Sequence, residues 1–169
     1  MQGITEKTNI RLAVARARGT GASGIKIYAD LSAELVEKIT AEAHRQGIMV
    51  WAHGAVFPAG PQDVVDAGAD VVSHVGFVSL ALAPQMPQSF REMGRVDFAS
   101  IISGYRDGDP TLQRIFDGMR QKGAILDATV DSALNIEEGL PGALDASARM
   151  TRQASGSRSE ERRVGKECR

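Results

Sequence analysis

The sequence is short of cysteine and aromatic residues and has no long apolar run. Cys168 is the only cysteine among 169 residues, which excludes a disulfide framework or a cysteine metal cluster within one chain. The formal net charge of −1 indicates no nucleic-acid partner. No run approaches the roughly 20 apolar residues of a membrane helix, and no signal peptide is visible at Met1. We therefore expect neither a nucleic-acid nor a membrane partner.

The last residues differ in composition from the rest of the chain. From Ser155 the sequence is charged and lacks a useful hydrophobic period. Residues Arg158–Arg169 (RSEERRVGKECR) resemble the in-frame translation of a common short-read sequencing adapter; the alternative is an ordinary disordered basic tail. In either case we expect these residues to lie outside the folded domain. We predict one domain over residues 1–154 and a non-native or disordered tail over residues 155–169.

Short apolar runs alternate with helical patterns along the body of the chain. The predicted strands are Gly24–Tyr28, Ile48–Ala52, Ala69–Ser73 and Ala124–Val130. The predicted helices begin near Asn9, Ser32, Pro61 and Pro110, residues that favour helix starts. Residues 76–108 read as a less regular segment, with a possible helix over 90–103. Strands that alternate with helices indicate βαβ units and a parallel sheet, and therefore an α/β fold.

Residues able to hold a metal lie in or directly after three of these strands. Lys26 is in the first strand, His53 follows the second and His74 follows the third, at sequence spacings of 27 and 21 residues. The carboxyl ends of parallel strands meet at one edge, where barrel enzymes collect their chemistry. Imidazole is a ligand for zinc and related ions. The simpler alternative is that both histidines are structural; His44, near the end of a helix, is interpreted as structural.

Three segments, GIKIYADLS, EAHRQGIMVWAHG and DAGADVVSHVG, carry a family resemblance. Together they resemble the metal-dependent amidohydrolase superfamily, in particular its imidazolonepropionase-like and Xaa-Pro dipeptidase-like branch. The resemblance covers roughly Ile10–Met150. It implies a partial (β/α)8 TIM barrel, with this chain supplying strands four to seven and their helices. It also implies a parent enzyme that hydrolyses C–N bonds in small amide, lactam or dipeptide-like substrates, and leaves a homo-oligomer possible.

The resemblance assigns roles to individual residues. Lys26 matches a lysine that is often carboxylated and bridges two metals, while His53 and His74 match the histidine ligands of the fifth and sixth strands. The implied cofactor is one or two divalent metal ions, usually zinc. Tyr28 matches a residue that contacts the substrate. The segment Ile125–Thr129 matches the seventh strand, without an assigned catalytic role.

Three of the six usual site groups have no counterpart here. The first-strand His-x-His pair would precede Met1, and the eighth-strand aspartate would lie beyond the body of the chain. We therefore expect the parent protein to be an enzyme and this chain alone to be inactive. The true amino terminus is expected upstream, so the compartment stays unknown, with the cytoplasm as the default. The alternative is a non-catalytic α/β fragment whose histidines are structural.

Deleting Arg158–Arg169 should leave the thermal stability of the remaining chain unchanged, because a tail of this composition has few apolar groups to bury. The comparison is between the melting temperatures of the full chain and of the chain ending at residue 157. A loss of several degrees on deletion would show that the tail belongs to the fold.

Overall fold

A computed structural model of the chain describes residues 2–129 and 143–155. It is an α/β structure built on one four-stranded parallel sheet. The strands lie side by side in chain order, β1 (Gly24–Ile27), β2 (Met49–His53), β3 (Val71–Ser73) and β4 (Ile125–Asp127). The predicted parallel sheet is therefore confirmed. Strand β1 is one residue and β3 is two residues shorter than predicted, β2 is shifted by one residue, and β4 leaves out Ala124, Ala128 and Thr129 of the predicted fourth strand.

Eight α-helices and one short 3₁₀ helix are present in the described ranges. They are α1 (Ile10–Gly19), α2 (Ala33–Arg45), α3 (Pro61–Asp66), α4 (Val75–Ser79), the 3₁₀ turn Leu80–Leu82, α5 (Phe90–Met93), α6 (Phe98–Ser103), α7 (Pro110–Lys122) and α8 (Ala143–Ser155). None of the helices in residues 2–129 and 143–155 has the length and apolar character needed to cross a membrane.

The helix ends follow from local side-chain chemistry. Asn9, Ser32 and Asp109 each accept a hydrogen bond from a backbone N–H of the first turn of the helix that follows, which satisfies a donor with no partner inside the helix. Gly123 ends α7 with φ of 70°, and Gly47 follows α2 with φ of 74°. Glycine adopts this left-handed conformation without the steric cost that a Cβ brings.

The hydrophobic core lies between one face of the sheet and the longer helices. Helix α2 contacts β1 and β2, and the helix pairs α1–α2, α2–α3, α3–α7 and α7–α8 are also in contact. Helix α7 carries an apolar stripe at helical spacing, and its four residues are all buried: Leu112, Ile115, Phe116 and Met119. Ile27, Val50 and Val72 are buried from the sheet side. Burial of these apolar groups is the main stabilising contribution to the layer.

The other face of the sheet is less covered, and we call it the open face. Register pairing places Lys26, Trp51, Val71 and Ile125 at one level on this face. Trp51 is 44% exposed and Ile125 is 60% exposed, and Met49, two residues before Trp51, is 52% exposed. Side chains alternate between the two faces of a strand, so Tyr28 belongs to the open face as Lys26 does.

The structure differs from the sequence prediction between β3 and α7. Helix α4 and the 3₁₀ turn lie in a stretch interpreted as irregular, and the single helix expected over 90–103 is two short helices, α5 and α6. Helix α4 has only five residues, too few for a 3.6-residue period to be read from sequence. The end of the predicted fourth strand at Val130 and the adapter-like tail lie outside the described residues. Helix α8 ends at Ser155, so the predicted domain boundary falls in its last turn.

Replacing Thr40 by valine should stabilise the protein by about 1 kcal/mol. Thr40 lies on the buried side of α2 with no exposed surface, and its Oγ1 has no hydrogen-bond partner among the described residues. Valine keeps nearly the same shape and removes the unpaired hydroxyl. Urea unfolding would measure the change.

Ser79→Ala is the matched control, because Ser79 is equally buried but donates a hydrogen bond of 2.6 Å to the carbonyl of Gly76. That variant should lose about 1 kcal/mol. A destabilised Thr40→Val variant would contradict the assignment of an unsatisfied hydroxyl.

Candidate functional site

Strained backbone collects at the carboxyl edge of the sheet. In the described ranges, the non-glycine residues with positive φ are Asp30 (57°), Phe57 (56°), His74 (68°) and Thr129 (43°). Each follows the end of a different strand within four residues. Such conformations are costly for residues with a Cβ and occur often at functional sites. The carboxyl edge is therefore the place where a site is to be sought.

His53 and His74 meet at this edge. Their ring centroids are 4.7 Å apart, with the rings nearly perpendicular. His53 is only 4% exposed, because Tyr28 lies 4.4 Å from its ring and Phe77 lies 5.2 Å away. The Nδ1 atom of His53 is buried and has no hydrogen-bond partner among the described residues. A buried polar atom without a partner is unfavourable, so this nitrogen is a candidate to bind something that the chain itself does not supply.

His74 is held by the turn from β3 into α4. Its backbone N–H donates to the carbonyl of Asp127 at 2.9 Å, and its Nδ1 lies 2.5 Å from the hydroxyl of Thr129. The Nδ1 contact occupies one ring nitrogen and so leaves Nε2 as the atom able to bind a ligand. A Cβ on Gly54 would lie 2.9 Å from the backbone nitrogen of Val78 in α4. Glycine at position 54 therefore allows α4, and His74 with it, to approach β2.

The surroundings keep both imidazoles neutral. Burial is the main cause that lowers the pKa of His53 to about 4, and the charges of Lys26 and His74 lower it further. The interaction with the Tyr28 backbone raises this pKa, but by less. Burial and Lys26 also lower the pKa of His74, against an opposing effect of Asp127. Neutral imidazole is the form that binds metal ions. The pair is therefore in a ligand-competent state at neutral pH.

Lys26 lies near the histidines, but its amine is hydrogen-bonded to another residue. Its Nζ donates a hydrogen bond of 2.9 Å to the hydroxyl of Ser73 and lies 5.4 Å from the centre of the Trp51 ring. Burial lowers the pKa of Lys26, and the charge of Asp127 opposes this shift. Lys26 is level with Trp51 in the sheet, two residues before the level of His53. The structure thus brings Tyr28, His53 and His74 into direct contact, with Lys26 beside them.

Ser73 and Asp127 are site residues that sequence reasoning missed. They stand at the same level as His53 in the register of the sheet. Ser73 is fully buried, and its hydroxyl donates to a carboxylate oxygen of Asp127 at 3.3 Å. Their positions in VVSH and ILDAT become informative only when the register of the four strands is known. No single-strand pattern singles them out.

His44 takes no part in this site. Its Nε2 lies 2.9 Å from a carboxylate oxygen of Asp70, and the same oxygen accepts the backbone N–H of Val50 at 2.7 Å. Asp70 directly precedes β3, so this pair stands at the opposite end of the strand from His74. The geometry agrees with the structural role expected for His44.

A separate polar groove of about 600 Å³ lies between α3 and α7. Its lining contains none of the predicted site residues: Gln62, Asp66, Gly108, Pro110, Gln113, Arg114, Asp117, Gly118 and Gln121. The groove is lined from the helical layer. It is therefore distinct from the cluster at the carboxyl edge.

The residues at the carboxyl edge fit a divalent metal in part. Two neutral imidazoles from neighbouring strands, one with an unpartnered nitrogen, are suitable donors. Within residues 2–129 and 143–155, however, no group of three or more His, Cys, Asp or Glu side chains is placed to hold a metal ion. The pair thus forms an incomplete ligand set to which further ligands must be added.

Taken together, the fold and this edge define an α/β protein with a histidine pair at the carboxyl ends of its parallel strands. No protein-family model and no curated protein matches the chain. It is similar to the crystal structure of an uncharacterized protein, with a TM-score of 0.45 and 19% sequence identity. That similarity covers 86% of this chain and 32% of the other, so the present chain spans about a third of the length of the solved protein.

The metal-free protein should lose stability as the pH falls from about 6.5 through about 4. The pKa of His53 is lowered to about 4 in the folded state from an ordinary value of 6.5. In this range the unfolded chain therefore binds a proton that the folded chain excludes, and the free energy of unfolding falls. The contribution of His53 to the loss in free energy of unfolding levels off below about pH 4 and amounts to at most about 3 kcal/mol.

Urea unfolding in the presence of a chelator, from about pH 7 to about pH 4, measures this loss. The carboxylates contribute a background, so the comparison is with His53→Gln, which should show a shallower dependence. His44→Gln is the control for removing a histidine elsewhere. An equal pH dependence in His53→Gln and the wild type would contradict the buried, neutral state of His53.

Proposed function

We propose that this chain is part of the (β/α)8 barrel of a metal-dependent hydrolase that acts on C–N bonds in amide, lactam or dipeptide-like substrates. The observation that carries the proposal is the pair of adjacent, neutral imidazoles at the carboxyl edge, one of which has a buried nitrogen without a partner in the described residues. His53 and His74 are the proposed ligands. The reaction class rests on the sequence resemblance.

The open face supports the barrel part of the proposal. Parallel sheets are normally covered on both faces. Here one face packs against helices, whereas Met49, Trp51 and Ile125 are between 44% and 60% exposed on the other. In a barrel the second face turns inward and is filled by the side chains of further strands. Additional strands beside β1 and β4 would provide that cover.

The chain's own residues suggest how such a site would be arranged. Phe77 packs beside both His53 and His74 and excludes water from one side of the pair. Tyr28 is 40% exposed and in contact with His53, which supports the proposal that it contacts the substrate. When bound, the metal would supply an activated water and polarise the substrate carbonyl.

Lys26 is proposed as a further ligand after its neutral amine adds to carbon dioxide and releases one proton, which gives a carbamate. Its amine lies on the same face as the histidine pair, and burial lowers its pKa, which increases the neutral amine fraction that can be carboxylated. The hydrogen bond to Ser73 has to be released before Lys26 can turn toward the histidines. Asp127, bonded to Ser73, is a carboxylate close to this position.

One observation favours a non-catalytic alternative. His53 and His74 both pack against Phe77, and His53 also packs against Tyr28, so the histidines are members of an aromatic cluster. In that interpretation they stabilise the edge of the sheet by ring packing and bind nothing. The two proposals differ in what happens when zinc is added.

Isothermal titration of the purified chain with zinc should show one site, and His53→Ala or His74→Ala should weaken binding by about 100-fold or more, since even an outer partner of a ligand contributes about 10–100-fold. His44→Ala is the matched control, because His44 is bonded to Asp70 at the other end of the strand. Its affinity should equal that of the wild type. Equal zinc affinity in all three variants would favour the structural alternative.

The reaction class requires a longer chain that carries the neighbouring strands. Assayed with zinc on dipeptides and lactams, such a protein should hydrolyse at least one substrate class and should lose turnover in His53→Ala. Zinc binding at the pair without any C–N hydrolysis across the panel would retain the metal site and reject the reaction.

A further inference from the structure

Side chains from all four strands meet at the hydroxyl of Ser73. Lys26 of β1 donates to it from Nζ at 2.9 Å, and Trp51 of β2 donates to it from the indole Nε1. Ser73 itself is the last residue of β3, and its hydroxyl donates to Asp127 of β4 at 3.3 Å. Ser73 has no exposed surface. We call these four residues the Ser73 network.

The directions of these hydrogen bonds follow from chemistry. An ammonium and an indole N–H can only donate, and an ionised carboxylate can only accept. A serine hydroxyl has one hydrogen and two lone pairs, so Ser73 accepts from Lys26 and Trp51 and gives its hydrogen to Asp127. The one hydrogen and both lone pairs of the hydroxyl are therefore all used in hydrogen bonds. The hydroxyl is therefore not free to act as a nucleophile, and its role has to lie in what it holds.

We propose that Ser73 is a positioning residue that fixes Lys26 and Trp51 on the open face beside the histidine pair. Lys26 has a long flexible stem, and Trp51 is 44% exposed, so neither side chain is confined by packing alone. Ser73 ties both to one point, with the lysine amine over the indole ring. The arrangement of the network does not require a metal; its importance for the site rests on the proposed function.

The position of Lys26 relative to the histidines is then set by a single hydroxyl. While Nζ is bonded to Ser73, the lysine amine is held at that hydroxyl. Removing the hydroxyl releases the amine and the indole together. Ser73 thereby determines whether Lys26 is held back from the proposed ligand pair or is free to approach it.

Trp51 is the only tryptophan in the chain and reports on the network directly. In metal-free protein, Ser73→Ala should shift the emission maximum to longer wavelength and increase quenching by acrylamide, because the indole loses its partner and becomes more exposed. Ser73→Thr keeps the hydroxyl and should restore the wild-type spectrum. Ser79→Ala removes another fully buried serine hydroxyl, which among the described residues is bonded to the backbone carbonyl of Gly76 within its own turn, and should leave the emission unchanged.

A double-mutant comparison tests whether Lys26 is held through Ser73. Lys26→Met keeps most of the stem and removes the amine, so it should change Trp51 emission in the wild-type background. In the Ser73→Ala background it should have little further effect, because the amine has already left the ring. An equal effect in both backgrounds would overturn the claim that Ser73 positions Lys26.

Unchanged emission in Ser73→Ala, or the same change in Ser79→Ala, would also overturn the proposal. If Ser73→Ala fails to fold, Lys26→Met decides alone, since a spectrum equal to the wild type would show that the amine is not held over the indole. These measurements use no metal. The emission measurements can therefore contradict the Ser73 proposal while zinc still binds at His53 and His74. They can also support it when zinc does not bind, so the two proposals are separately testable.

Discussion

The parallel backbone ladder between neighbouring strands is the constraint on which the rest of the structure depends. Register pairing puts His53, Ser73 and Asp127 at one level and Lys26, Trp51, Val71 and Ile125 at another. Since all four strands run in the same direction, every loop that follows a strand leaves from the same edge. A shift of one residue in any pair would turn those side chains to the helical face, where apolar residues are required. The site is therefore specified first by backbone hydrogen bonds.

The same edge concentrates conformational strain. His74 has a positive φ and begins α4, while Thr129, also with positive φ, holds the His74 ring from the neighbouring loop. Strained residues persist when surrounding contacts determine their conformation. Here the surrounding contacts include the backbone bond from His74 to Asp127 and the packing of Phe77 against both histidines. These contacts hold the two imidazoles close together.

Much of the fold could be predicted from the sequence, because helix caps and hydrophobic periods are local signals. Asn9, Ser32 and the Asp109-Pro110 pair mark helix starts by chemistry that involves only the following turn. Helix α4 could not be predicted, because five residues are too few to show the 3.6-residue hydrophobic period of a helix. The strand ends were approximate for a different reason, since a buried apolar run does not show where its partner strand stops pairing.

The candidate site also contains some residues that could be predicted from the sequence and others that could not. His53, His74 and Lys26 can be identified because each lies in or just after a recognisable strand, whereas Tyr28 is indicated only by the family resemblance. The structure places the four residues near one another. Ser73 and Asp127 carry no local signal, since a serine in VVSH and an aspartate in ILDAT are ordinary in isolation. Their importance arises only when four strands are brought into register. The hydrogen bond of Lys26 to Ser73 could not be inferred from spacing for the same reason.

Gly54 has a consequence for how sequences of this type can vary. The space that a Cβ would need is occupied by the backbone nitrogen of Val78, at 2.9 Å, and by the carbonyl oxygen of His74, at 3.1 Å. Backbone atoms of a packed helix cannot rotate aside as a side chain can, so substitution here displaces the turn that carries the second histidine. His53 and Gly54 are therefore linked by the geometry of the turn: a chain that keeps the first histidine but carries a larger residue at position 54 misplaces the second imidazole.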